Sequence, residues 1–259
     1  LLASPSWQSA GLDCSEIGAS LAGVGDMDGD GYDDVAVGVP SFGRGELKEG
    51  AVLVFRGGPD GLETTPWWSV QSNKAHAGFG DSVAGAGDVN GDGYPDLVVG
   101  APDWQRPGGG EGMAVLFLGS STGLSLVPDW VAPTSGAGAR LGASVAGAGD
   151  VNGDGYDDVI IGAPGFSSVD GVGVALVFEG GPSGPATNPS AVLRGQAQAF
   201  GPWFGASVSS AGDVDGDGFD DVLVGAEYVD DGVSIGGSAS LFRGSAAGLI
   251  EVAEWSVTP

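Results

Sequence analysis

Side chains that carry oxygen recur at every second position in four short acidic stretches of this chain; the third reads GDVNGDGYDD from Gly149. Counted from the first aspartate, positions 1, 3, 5 and 9 are Asp26, Asp28, Asp30 and Asp34 in the first stretch. They are Asp88, Asn90, Asp92 and Asp96 in the second and Asp150, Asn152, Asp154 and Asp158 in the third. The fourth has Asp213, Asp215, Asp217 and Asp221. Carboxylates this close repel one another, so a folded chain needs something positive among them. Calcium takes six to eight oxygens at about 2.3–2.6 Å in a flexible shell. Side chains at the odd positions of a tight loop converge on one point. The main-chain carbonyl of position 7 (Tyr32, Tyr94, Tyr156, Phe219) can complete the set. Glycines at positions 4 and 6 permit the positive φ that such a wrap requires.

No cysteine or histidine lies in these stretches, which argues against zinc and copper, and magnesium prefers a more rigid, hydrated shell. An EF-hand is ruled out at position 12. That motif needs a bidentate Glu where Val37, Val99, Ile161 and Val224 stand. The reading is four calcium ions, one per loop. Asp33, Asp157 and Asp220 at position 8 are expected to face solvent.

The loops belong to a longer repeat. A 24-residue pattern starts at Ile17, Phe79, Leu141 and Phe204, in steps of 62, 62 and 63 residues. Each unit offers four short strands: a small-residue run such as SVAGAG, then DVAVG, DLVVG, DVIIG or DVLVG after the loop, then AVLVF or a relative. The fourth is marked by Trp7, Trp68, Trp130 and Trp255, with Val192 taken as the equivalent in one unit. Short strands of β-branched and aromatic residues bounded by Gly and Pro leave no room for a long helix. Four strands per unit of this length make the blade of a β-propeller. The fold class predicted is all-β, four blades of four antiparallel strands, as a single domain over 1–259. Repeat units run over about 17–78, 79–140, 141–203 and 204–259, and residues 1–16 contribute an outer strand. The acidic loops then share one face of the disc.

Composition narrows the function. With 34 acidic residues against 8 basic ones the net charge is −26, a poor surface for nucleic acid or anionic membrane. A hydrophobic fraction of 42% with seven Trp argues against disorder. No apolar run is long enough to insert in a membrane, and the opening LLASPSW has no basic region of the kind a signal peptide carries. The single Cys14 allows no intrachain disulfide, and the single His76 sits in a polar loop, so nucleophile–base machinery has little to draw on. The chain reads as no enzyme.

The pattern FG…GD-x-[DN]-G-D-G-x-x-D…VGAP resembles the FG-GAP repeat of the N-terminal propeller of integrin α subunits and of bacterial surface proteins. Ile17 and Leu141 replace the Phe, Val39 the Ala and Glu227 the Pro, none at a proposed ligand position. The resemblance implies calcium in the same loops and a scaffold that recognises a protein or carbohydrate from its faces. Integrin propellers have seven blades. Four units should close on themselves as a monomer, with a homodimer completing an eight-bladed ring as the alternative.

Six of the eight basic residues, Arg44, Lys48, Lys74, Arg106, Arg140 and Arg194, fall in connections opposite the acidic face, with Trp104 and Trp203. Trp104, Arg106, Arg44 and Lys48 are the ligand-face candidates, whereas Trp203 is expected to pack within its blade. Loops that need ample free calcium fit a secreted or cell-surface module. The alternatives are a structural spacer of a larger secreted protein and, less well supported, an accessory domain beside an enzyme.

Overall fold

The computed structural model describes residues 16–43, 47–106, 109–133, 138–166, 173–195, 203–230 and 235–257. Trp7, Cys14, Arg44 and the side chain of Arg106 lie outside them. The first blade has β1 (Ser20–Gly25), β2 (Asp34–Val39), β3 (Ala51–Phe55) and β4 (Trp68–Gln71) in that sheet order. The second has β5 (Ser82–Gly87), β6 (Asp96–Ala101), β9 (Met113–Phe117) and β10 (Trp130–Val131), with the short ribbon β7 (Gln105–Arg106) and β8 (Gly109–Gly110) inserted before β9. The third has β11 (Ser144–Gly149), β12 (Asp158–Ala163), β13 (Val174–Phe178) and β14 (Ala191–Arg194). The fourth has β15 (Phe204–Gly212), β16 (Asp221–Asp230), β17 (Ile235–Phe242) and β18 (Trp255–Val257). All pairings are antiparallel, and each first strand slips register at its end, as between Gly147 and Gly149. None of the described residues forms a helix long and apolar enough to cross a membrane.

The second and third strands of the two middle blades are apolar on both sides because each of these blades packs against a neighbour on each side. In β6, Leu97 and Val99 face the first blade while Val98 faces the third, as strand alternation requires. The core is thus a set of layers between blades rather than one centre. The inner strands are small because they crowd. A Cβ added to Gly38 would lie 2.0 Å from the Gly80 carbonyl oxygen of the next blade, and the same 2.0 Å recurs for Gly100 with Gly142 and Gly162 with Gly205. The glycine late in each second strand and the glycine after Phe79, Leu141 or Phe204 are therefore two halves of one close approach between blades.

At the rim, tryptophan closes the first two layers. Trp68 meets Phe117 of the next blade edge-on at 5.1 Å and donates its indole N–H to the Ser125 carbonyl at 3.0 Å. Trp130 meets Phe178 at 5.0 Å in the same way. The third blade departs from the sequence reading. Register pairs Val54 with Trp68, Leu116 with Trp130 and Leu241 with Trp255, so the matching residue opposite Val177 is Ala191, not Val192. A displacement of one residue puts a side chain on the other face of the strand.

The four inner strands pack in the order β1, β5, β11, β15, and among the described residues β15 does not pack back onto β1. Leu21 of β1 is 66% exposed where its counterparts Val83 and Val145 are 7% exposed. Among the described residues the first and last inner strands share no packing of the extent seen at the three internal junctions. On the side of the first blade away from the second, Val37, Val39, Leu53 and Phe55 are nevertheless buried, whereas Leu223 and Leu241 of the fourth blade are only partly so.

Candidate metal centre

Each acidic loop is wound around its position-1 aspartate. Asp150 Oδ1 accepts the Gly153 and Asp154 amides at 2.7 and 3.1 Å, and its Oδ2 accepts Gly155 N–H at 2.9 Å. Asp26 and Asp213 each accept the same three amides of their own loops, and Asp88 accepts those of Asp92 and Gly93. These N–H groups, led by that of Gly218, hold the Asp213 carboxyl below its usual range. Position 3 accepts the amide of position 5, and position 5 accepts that of position 7. The glycines make this winding possible: Gly29 and Gly31 sit at φ 78° and 95°.

The result brings positions 1, 3 and 5 together. One oxygen each from Asp26, Asp28 and Asp30 lies within 4.8 Å of the others, as for Asp213, Asp215 and Asp217. In the two middle loops Asn stands at position 3, and the Asn90 and Asn152 amides donate to Asp92 and Asp154 Oδ2, both at 3.0 Å. A gathered, all-oxygen set with no nitrogen or sulfur ligand fits a hard cation.

Position 9 does a different job. Asp96 is fully buried; its Oδ1 accepts Gly119 N–H and its Oδ2 accepts Val89 N–H, each at 2.8 Å. Asp34, Asp158 and Asp221 bridge the same two points of their blades, a loop amide and the glycine after the third strand. Burial pushes Asp96 and Asp158 up to about 7, against the pull of these amides and with help from the neighbouring loop carboxylates. Asp34 is raised for the same first reason. Each carboxylate oxygen keeps lone-pair capacity beyond its amide partner.

Two features escaped the sequence reading. Arg56 Nε lies 2.6 Å from Asp28 Oδ2, and Arg243 Nη1 lies 2.7 Å from Asp215 Oδ2. These are the two cations not assigned to the opposite face, and each follows the last Phe of a third strand. Position 8 also differs from expectation. Asp157 is not a solvent-facing group: its Oδ2 accepts the Asp88 amide of the preceding blade at 2.7 Å, and Asp220 accepts that of Asp150 at 3.0 Å. Burial raises the Asp157 carboxyl despite that bond. Only Asp33 is exposed as expected.

On the opposite ends of the strands, Trp104 is half-buried against the layer between blades one and two, with Lys74 Nζ 5.2 Å from its ring centre. Lys48 is exposed. Trp203 does not pack within its blade: it is 43% exposed, at φ 48°, with the Arg140 guanidinium 5.9 Å from its ring. His76 is an exposed loop residue whose amide bonds the Leu47 carbonyl at 2.8 Å.

Sheets of this topology joined by these wound loops define a β-propeller of repeated blades. The model of the FG-GAP repeat matches residues 18–55, 79–117, 141–178 and 204–242, and the chain belongs to that family. It is 34% identical to integrin alpha-PS2 of Drosophila melanogaster over 234 residues, which cover 86% of this chain and 16% of that protein. Integrin alpha-V of Gallus gallus is also 34% identical, over 87% of this chain and 21% of that protein. Mouse (Mus musculus) integrin alpha-IIb is 39% identical over 60% of the chain. The chain spans about a fifth or less of these relatives.

Proposed function

We propose that this chain is a non-catalytic, calcium-binding propeller module of a secreted or cell-surface protein, built to recognise a protein or carbohydrate. The observation that carries the reading is the gathering of carboxylates at positions 1, 3 and 5 of loops whose own amides already order them. Positions 1, 3, 5 and 9 supply side-chain oxygens and position 7 a carbonyl, in each of four loops. Asp26, Asp28, Asp30, Tyr32 and Asp34 form one set, and the other three follow the same positions. Calcium bound there supplies the positive charge that sixteen crowded ligand residues, fourteen of them acidic, need beyond Arg56 and Arg243.

Integrin relatives support the adhesive sense of the reading. Recognition is assigned to the end of the strands away from the ions, where Trp104, Lys74 and Lys48 concentrate aromatic and cationic groups; Arg106 and Arg44 belong to the same connections in sequence. Calorimetric titration with calcium, followed by arrays of extracellular proteins and glycans probed with and without the ion, tests both parts. Saturable calcium uptake with a ligand lost on Trp104→Ala supports the module. Calcium uptake with no ligand on any array favours a spacer, and no calcium uptake overturns the metal assignment.

A further inference from the structure

Residues 82–94 and 144–156 are the same thirteen residues, SVAGAGDVNGDGY, and each copy sets an asparagine before a glycine, Asn90–Gly91 and Asn152–Gly153. That pair of residues has a reaction of its own. The main-chain nitrogen of the glycine, once it gives up its proton, attacks the side-chain carbonyl carbon, and glycine has no side chain to block the approach. The Cγ–Nδ2 bond breaks, ammonia leaves and a five-membered succinimide remains. Water then opens the ring at either carbonyl, giving aspartate or isoaspartate. The sum is asparagine plus water going to an acid plus ammonia, with no change of oxidation state.

The fold presents both asparagines for this step. Each Oδ1 accepts the amide two residues on, Asp92 N–H at 3.1 Å and Asp154 N–H at 2.9 Å, which folds the side chain back over the glycine peptide. That amide faces the oxygen on which negative charge develops as the nitrogen adds, so it stabilises the adduct. Each Nδ2, the group that leaves, donates to a carboxylate, Asp92 Oδ2 or Asp154 Oδ2, at 3.0 Å. Both glycines are exposed to the water that completes the reaction. One contact separates the copies. Gly153 N–H is held by Asp150 Oδ1 at 2.7 Å and must break that bond before it attacks. Asp88 takes the amides of Asp92 and Gly93 and leaves that of Gly91 without a hydrogen bond among the described residues. The other two asparagines are built-in controls: Asn188 precedes Pro189, which has no N–H, and Asn73 precedes Lys74, whose side chain crowds the approach.

We propose that Asn90 and Asn152 are sites of spontaneous deamidation, Asn90 the faster, open in a loop without metal and closed in a loop that holds it. The closing rests on the calcium reading of these loops. Position 3 is a ligand there, and an asparagine bound through Oδ1 is not free to turn on its neighbour's nitrogen. The product is a loop with Asp at position 3, as at Asp28 and Asp215, but Leu118 and Glu179 stand where Arg56 and Arg243 balance those two. Isoaspartate does more, since it adds a methylene to the main chain and moves the ligand positions apart. A loop left without metal keeps a covalent mark of it.

The chain is held for days at neutral pH in chelator or in millimolar calcium, and its peptides are mapped by mass; Pro95 and Asp157 tell the two copies apart. Each conversion adds about one mass unit, NH2 becoming OH. In chelator both peptides should gain it, Asn90 ahead by about tenfold for the one hydrogen bond, and those of Asn73 and Asn188 should not. In denaturant the two copies should react at equal rates, because their local sequences are identical. Free calcium at about a hundred times its dissociation constant should slow both by about a hundredfold, since only the loop without metal reacts. No gain at Asn90 in chelator overturns the proposal. So does a ratio between the copies equal to that in denaturant while circular dichroism still shows the strands. Equal rates with and without calcium overturn the protection when calorimetry shows calcium taken up. With no uptake the calcium reading falls and the protection with it, whereas the ratio still decides the modification.

Discussion

The first and last of the four loops and the two between them hold their acids differently. The end loops keep Asp at position 3, as Asp28 and Asp215, and set Arg56 and Arg243 against it. The interior loops use Asn90 and Asn152 there, and the residues that align with the arginines are Leu118 and Glu179. An interior loop has an acidic neighbour on either side, and Asp157 lies close enough to feel Asp220, Asp88 and Asp150. Removing a charge relieves that repulsion. Among the described residues an end loop has such a neighbour on one side only, and there the charge at position 3 is kept and paired with an arginine. The repeat shares the winding of each loop about its first aspartate and differs in how the charge at position 3 is handled.

Removing calcium tests what both kinds of loop share, and it has the largest expected effect. Chelation should lower the melting temperature measured by calorimetry. Each site contributes about 2.7 kcal/mol when free calcium is a hundred times its dissociation constant. An unchanged melting curve would break the comparison at its root.

Next in size is the buried anchor. Asp96→Asn replaces one acceptor oxygen with an amide facing a main-chain N–H, and should cost about 1–3 kcal/mol in denaturant unfolding of the calcium-free protein. The anchors also set a pH dependence. Asp96 and Asp158 are raised to about 7, so the folded chain favours their protonated forms. That contribution is fully present below about pH 4, the ordinary carboxyl value, and is lost as pH rises through about 7. Calcium-free protein should therefore lose stability from this source between those limits. Calcium affinity, which needs the carboxylates, should fall as pH drops below about 7.

The arginines sharpen the distinction between loops. Arg243→Gln should raise the calcium affinity of the fourth loop, by up to about tenfold, because a competing cation leaves Asp215. The interior sites should not change in the same titration. The smallest effect separates two copies of one residue. Asp157→Ala should cost about 1 kcal/mol, since the Asp88 amide loses its acceptor, whereas Asp33→Ala should stay within about 0.5 kcal/mol. Equal effects would mean that the clasp between blades carries no weight.

The loops and strands were legible because their determinants are local. Odd-position oxygens, the glycines between them and runs such as DVIIG act within about ten residues, so spacing alone reveals them. Trp203 and Val192 were misjudged for different reasons: a connection rich in Gly and Pro allows no inference of packing, and a one-residue register choice depends on the partner strand. Arg56 and Arg243 left a trace, as the residue after the third-strand Phe in the two units with Asp at position 3. That trace is visible only when the four units are aligned against one another.

The sequence by itself determined the four-fold repeat, the oxygen-rich loops and the all-β blades, because each is written in a short stretch and repeated. Only the tertiary structure decided that Asp157 and Asp220 clasp the preceding blade and that Gly38 is held against Gly80. Those features join residues some 40 to 70 positions apart. Which blade stands beside which, and whether the last reaches the first, depends on angles summed over every junction, and no local spacing encodes that sum.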